Sequence, residues 1–341
     1  NIQLLKDINR IKNYLSLKIL IKNRNSSLNY QAIKNLRIEL EKISHVNFSQ
    51  INNIFIRKTT RFGNQIISFN NLIYYCEILG IKNIYLNSAI NWFIKNDIHN
   101  EKIHISVIPS TKINCNSNTT YCCNLVIFFY PIIIKAERRS ILLKDEIKKN
   151  LPKINIDDKD LYIYIRSGDS FKRNGNGYTP SPYCFYKKII SNFKFKDIYI
   201  ISEDDKSPII ERLLTDYPKI KHKINSFEID LATLINAYNL VNSFSSFSQV
   251  AISFNDNLKN LFEYEVYKLE SAIVHFHYDI DKLDKQFIIY RMKPSQNYLI
   301  NMYDWKNTLE QRKLLFTEKC KYEFKKTKYT KTILDISDFL I

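Results

Sequence analysis

The chain has 341 residues, 45% of them hydrophobic and 13% aromatic, and a formal net charge of +17 at neutral pH. That apolar content excludes a disordered chain, and the length exceeds one typical core and implies two domains. The longest unbroken apolar run, 125–134, contains Pro131 and falls far short of the roughly 20 residues a membrane-spanning helix needs.

Residues 1–50 read as a helical extension or stem, with Leu4, Ile8, Ile11 and Leu15 forming one apolar stripe and Ile33, Leu36, Leu40 and Ile43 a second. Strands and helices then alternate. The spacing predicts strand 53–58, helix 64–79 with Gly80 as its C-cap, strand 83–86, strand 124–130 and a basic helix 136–149. Leu151-Pro152 breaks the pattern. A second series follows: strand 161–166, helix 182–193, strand 197–201, helix 208–217, a short strand 220–224, helices 229–241 and 249–269, and strand 272–277. Alternation of this kind implies parallel sheets with covered faces, hence an α/β protein with two Rossmann-like domains. The expected division is an extension at 1–50, a first domain at 51–152, a nucleotide-binding domain at 153–294, and a segment at 295–341 packing back on the first domain.

The basic charge is spread along the chain, with small clumps at Lys148-Lys149 and Lys325-Lys326 and no arginine–aromatic ladder. A nucleic-acid surface is more concentrated than this, and no nucleic-acid partner is expected. The six cysteines show no spacing suited to structural zinc, but Cys115 can close a small disulfide with Cys122 or Cys123. Glycosylation sequons stand at Asn25, Asn47 and Asn118. The start at Asn1 leaves room for an N-terminal membrane anchor outside this chain, and the lumen of the secretory pathway (Golgi or endoplasmic reticulum) is the expected location.

Only five glycines occur, where typical usage of about 7% would give roughly twenty. Two of them pair with an arginine at a strand end. In Arg61-Phe62-Gly63-Asn64-Gln65, a glycine opens a helix whose free amides attract an anion, with Asn64 and Gln65 as further donors. In Tyr164-Ile165-Arg166-Ser167-Gly168-Asp169, a strand delivers Arg166 to its C-terminal edge and Gly168 permits a tight turn. There Arg166 can bond a phosphate bidentately while Asp169 orients it or holds a ligand hydroxyl. Asn242-Ser243-Phe244-Ser245-Ser246-Phe247-Ser248 offers hydroxyls and helix-start amides to phosphate oxygens. Ile201-Ser202-Glu203-Asp204-Asp205 places carboxylates at a strand end, where one can accept two hydrogen bonds from the edge of guanine. Each segment alone has a plain structural explanation as a salt bridge, a helix cap or a solvated turn.

Their order carries more. RFGNQ, then IRSGD, an acidic turn and NSFSSFS together resemble the GDP-fucose-dependent fucosyltransferase superfamily, over about residues 52–260. The resemblance implies a GT-B fold and an inverting, metal-independent transfer of fucose from GDP-fucose to a glycan or glycoprotein hydroxyl. It implies that Arg166 binds the β-phosphate, with Ser243, Ser245 and Ser246 assisting and Gly168 shaping the turn. It places Glu203 or Asp204 near the base, and Gly63 and Asn64 along the donor–acceptor cleft, so that Arg166, Asp169 and Asn64 become the expected catalytic residues. No metal or other cofactor is implied. The family's histidine position is Tyr164 here, and no general base stands out. A catalytically inactive nucleotide- or glycan-binding relative and a transferase using another nucleotide sugar therefore remain alternatives. Asp279-Ile280-Asp281 mimics a metal-binding D-x-D, and His275 and His277 share one strand face, but both lie far downstream of the nucleotide-like turns and read as chance and packing.

Overall fold

The computed structural model describes residues 51–58, 62–63, 65–66, 69, 72–73, 76, 80–88, 97–99, 103–109, 112–113, 120–124, 141–172, 179–243, 245–265, 287–302, 305–321 and 323–328. The expected extension at 1–50, the disulfide partner Cys115, strand 272–277 and the residues Asp279, Asp281, His275 and His277 lie outside them. The chain divides into two compact units, 1–150 and 151–341. Both are α/β with largely parallel sheets, as the alternating pattern predicts.

The first unit holds a five-stranded sheet of order β3-β4-β2-β1-β5. Its strands are β1 (Asn53–Lys58), β2 (Asn83–Asn87), β3 (Ile98–His99), β4 (His104–Ile108) and β5 (Thr120–Asn124). All pairings are parallel except β3 with β4. Phe62, Ile66, Phe69, Ile73 and Cys76 recur every three or four residues, and the helix they belong to buries them all. Gly80 ends that helix at φ +73°, with the Ile81 amide donating to the Cys76 carbonyl at 2.9 Å. Helix α1 (Ile141–Asn150) closes the unit.

The second unit holds a seven-stranded sheet of order β12-β11-β10-β9-β6-β7-β8. Its strands are β6 (Leu161–Tyr164), β7 (Ile198–Ile201), β8 (Lys221–His222), β9 (Asn239–Asn242), β10 (Asn260–Tyr264), β11 (Ile288–Met292) and β12 (Lys325–Lys328). Only β12 runs antiparallel to its neighbour. The helices are α2 (Tyr183–Asn192), α3 (Pro208–Asp216), α4 (Phe227–Asn236), α5 (Ser246–Phe254), α6 (Gln296–Met302) and α7 (Leu309–Thr317). Strands β6 and β9 are buried at every position, as expected of central strands covered on both faces. On one face, Phe262 stacks on Tyr290 at 4.9 Å and meets Phe193 edge-on at 4.8 Å.

Two strands correct the sequence reading. Asn239-Leu-Val-Asn was expected to continue helix 229–241, and Asn260–Tyr264 to lie inside helix 249–269, but they form β9 and β10. Both are short apolar runs, whose period cannot separate a buried strand from a buried helix. The described part of 295–341 is built into the second unit, where Tyr298 donates to the Pro180 carbonyl at 2.6 Å and Trp305 to the Ser170 carbonyl at 2.6 Å.

A disulfide between Cys184 and Cys320, Cα atoms 5.7 Å apart and 136 residues distant in sequence, fastens this tail to α2. It closes a long loop and so restricts the unfolded chain strongly. Replacing both cysteines by serine should cost about 3 kcal/mol of stability. Urea unfolding without reductant reads this directly, and an unchanged midpoint would show that the bridge contributes nothing.

Candidate functional site

In the second sheet the chain runs from β6 outward through β7 and β8, then returns to β9 and continues through β10 and β11 on the other side. Loops leaving β6 and β9 therefore diverge at adjacent strand ends, and a crevice opens between them where ligands of open α/β sheets bind. The arginine turn follows β6 and the serine turn follows β9. The two touch: the Arg166 amide donates to Ser243 Oγ at 3.2 Å.

Within the arginine turn, Arg166 Nε donates to Ser170 Oγ at 2.9 Å, and Nη2 donates to both Asp169 carboxylate oxygens at 3.2 and 3.3 Å. The side chains are 20% and 26% exposed, so the pair is shielded yet reachable. Asp169 thus holds the guanidinium from one side. Gly168 sits at φ +58° and starts a one-turn 3-10 helix, Gly168–Phe171. A Cβ there would lie 2.5 Å from Glu203 Oε2, so the Glu203 carboxylate lies directly over the glycine. The left-handed backbone there favours glycine, whereas the exposed Glu203 side chain can swing aside from a Cβ.

Asp204 clips this turn to the next strand end. Its Oδ1 accepts from the Ser167 hydroxyl, the Gly168 amide at 2.9 Å and the Lys206 amide at 3.1 Å, while Lys206 Nζ lies 2.8 Å from Oδ2. Burial pushes the carboxyl up, but these donors outweigh burial and hold it well below the usual carboxylate range. Asp204 is saturated by the protein's own donors, whereas Glu203 is exposed beside Gly168.

The serine turn caps α5. Ser245 Oγ accepts from the Phe247 amide at 3.1 Å and pairs with the Tyr164 hydroxyl at 3.2 Å. Ser248 Oγ donates back to the Ser243 and Ser245 carbonyls, at 2.9 and 3.0 Å. Ser243 and Ser245 are buried, while Ser246, the first residue of α5, is partly exposed. Burial pushes the Tyr164 hydroxyl up to about 12, partly offset by Ser245 and Arg166. Tyr164 therefore stays protonated at neutral pH. In the first unit Gly63 is buried and helical, and Asn64 lies outside the described residues. Among the described residues, no cluster of three His, Cys, Asp or Glu suits a metal ion, and no helix is long and apolar enough to cross a membrane.

One residue of this neighbourhood was missed from sequence. Asp230, in the first turn of α4, is 7% exposed, and Asn225 Nδ2 donates to its Oδ1 at 3.1 Å. The start of α4 packs on the start of α5 through Phe227 and Phe247, 5.2 Å apart, and Phe247 in turn lies 5.6 Å from the Tyr164 ring. Burial raises the Asp230 carboxyl to about 6, against the weaker effect of Asn225. The available signal was its place in Phe227-Glu-Ile-Asp-Leu-Ala-Thr-Leu-Ile, where helical spacing sets Asp230 beside Leu231 and Leu234 on the buried face.

No protein-family model matches the chain, and no curated protein matches its sequence. Among solved structures, the E. coli heptosyltransferase WaaC with ADP is similar at TM-score 0.35 and 11% identity, over 62% of this chain and 88% of that one. The NodZ α-1,6-fucosyltransferase soaked with GDP-fucose is similar at TM-score 0.33 and 10% identity, over 63% and 95%. Likenesses this low say nothing of substrate, and the chemistry of this chain is read from its own residues.

Two outcomes follow from this geometry. Gly168→Ala should lower stability by about 1–2 kcal/mol through backbone strain, and adding Glu203→Ala should recover little of that loss, since the exposed glutamate can move aside. Equal urea midpoints for the wild type and Gly168→Ala would contradict it. For Asp230 the folded-state value lies above the ordinary one, so ionisation costs stability as pH rises from about 4 to about 6 and the full penalty persists above. Asp230→Asn should therefore stabilise the free protein at pH 7, by up to about 3 kcal/mol, and lose that advantage near pH 4. A destabilised variant at pH 7 would show the carboxylate to be a structural anchor instead.

Proposed function

We propose that the chain is an inverting, metal-independent glycosyltransferase of the GT-B type that transfers fucose from GDP-fucose to a glycan or protein hydroxyl. The observation that carries this reading is the meeting of the arginine turn and the serine turn at adjacent strand ends, joined by the Arg166–Ser243 hydrogen bond. A pre-oriented, partly exposed arginine beside the N-terminus of α5 is suited to a diphosphate.

In this mechanism the acceptor oxygen forms a bond to the anomeric carbon as the bond from that carbon to the diphosphate oxygen breaks. The electron pair leaves on the diphosphate, and the proton of the acceptor hydroxyl passes to the departing diphosphate or to water. Arg166 and the start of α5 stabilise the charge that develops there, which is where preorganised donors accelerate a reaction most. Asp169 and Ser170 keep the guanidinium in place before substrate arrives. Asp230, an ionised carboxylate at neutral pH, accepts from the N1–H and exocyclic amine of guanine, a pair of donors that adenine does not present on that edge. This recognition would repay the stability that its burial costs. Glu203 is the second carboxylate of the neighbourhood that can contact the nucleoside. Gly63 and Asn64 belong to the acceptor side in this reading.

Tyr164 supplies no base at neutral pH, since its hydroxyl is held protonated and bonded to Ser245. That observation favours, as a second reading, a relative that binds GDP without turnover. The Cys184–Cys320 bridge supports a location in the oxidising lumen of the secretory pathway.

Incubation with GDP-fucose and a panel of glycan and glycoprotein acceptors should release GDP and yield fucosylated product. Arg166→Ala should lower kcat about 10²–10³-fold. Turnover unaffected by Arg166→Ala would overturn the assignment of the diphosphate site, and tight GDP binding without product would select the inactive relative.

A further inference from the structure

The arginine turn is held from behind by residues about 135 positions later in the chain. Trp305 is fully buried, and its Nε1–H donates to the Ser170 carbonyl at 2.6 Å while its ring meets Phe171 edge-on at 5.5 Å. Asn307 stands at φ +58°, a conformation asparagine tolerates, and its Nδ2 donates to the Phe171 and Lys172 carbonyls, both at 2.9 Å. Its own Oδ1 accepts from Arg312 Nε at 2.7 Å. A Thr308–Gln311 capping box fixes the start of α7 immediately afterwards. Residues 179 and 180 are tied to the tail as well. Thr179 Oγ1 donates to the Met302 carbonyl at 2.7 Å, and Tyr298 to that of Pro180.

Every carbonyl from Ser170 to Lys172 is thus capped by a side chain of the tail. These are the residues whose placement decides where Arg166 lies, because Ser170 Oγ accepts from Arg166 Nε and Asp169 stands in the same turn. A one-turn 3-10 helix has little stability of its own, since it makes few internal hydrogen bonds with poor geometry.

We propose that Trp305 and Asn307 are positioning residues for the phosphate-binding arginine: through the Ser170–Lys172 carbonyls they fix the turn that orients Arg166. The functional half of this rests on the reading of the crevice as a GDP-sugar site. The tail is then part of the donor site although it touches no donor, and the Cys184–Cys320 bridge at its exit keeps it seated.

Two variants test this. Trp305→Phe keeps the aromatic packing and removes the N–H donor. Asn307→Gly keeps the backbone conformation and removes both carbonyl bonds. Hydrogen exchange of a peptide covering 166–172 is measured against one covering β10, which reports on overall stability. Each variant should raise exchange in the turn about tenfold while β10 stays unchanged. GDP affinity is measured by calorimetry for each variant with Arg166 present and with Arg166→Ala. Affinity should fall about tenfold in the presence of Arg166 and not at all in its absence. Unchanged turn exchange in both variants overturns the proposal, and so does an equal loss of affinity in both backgrounds. If Arg166→Ala by itself leaves GDP affinity unchanged, the diphosphate reading fails, and the exchange data alone then judge whether the tail positions the turn.

Discussion

The adjacency of β6 and β9 is the constraint on which the second unit depends. Because the chain departs from these two strands in opposite directions, one crevice forms at their carboxyl ends, and the two turns that carry polar chemistry have no alternative but to meet there. The hydrogen bond from the Arg166 amide to Ser243 Oγ is the local expression of that topology. It fixes the arginine turn relative to the cap of α5, and the Tyr164–Ser245 contact repeats the linkage one layer deeper. Strand order thus sets the distance between a cation and a helix N-terminus, which is the quantity a diphosphate site requires.

Around this junction the protein accepts local costs. Gly168 holds a left-handed conformation under the Glu203 carboxylate, and Asp230 keeps a carboxyl where burial favours the neutral acid. Asp204 shows the opposite arrangement, a carboxylate made more acidic by four donors, and its role is mechanical: it staples the turn after β6 to the turn after β7. Neighbouring acidic residues on one loop and one helix therefore carry opposite consequences for pH dependence, set by how many donors each one finds. Unfavourable burial of a carboxyl, as at Asp230, is the pattern expected where function rather than stability selects the residue.

Much of this was legible in the sequence where the signal was local. Scarce glycine drew attention to Gly168, and the strand before it delivers Arg166 to the crevice. The Asp169 contact followed from residue type and spacing. The reading failed where the signal was non-local. Strand β9 is only four residues long and wholly buried, so Asn239–Asn242 looked like the end of a helix, and with it the switch point could not be located. The Cys184–Cys320 pairing and the hold of Trp305 on Ser170 join residues about 135 apart, a distance at which spacing carries no information. Asp230 was overlooked because acidic residues in a first helical turn are common and usually solvated, and only its place on the apolar face distinguished it. Asp204 illustrates the converse: residue type suggested a ligand contact, while its oxygens are taken by protein donors that only the fold brings near.

We propose that the β6–β9 crevice is a guanine nucleotide diphosphate site. The most direct measurement is the thermal stabilisation of the wild-type chain by GDP, compared with UDP, CMP and ADP, each with and without EDTA. GDP should raise the midpoint well above the other three nucleotides, unchanged by EDTA. A response to UDP that requires a divalent metal, or no response to any nucleotide, would contradict it.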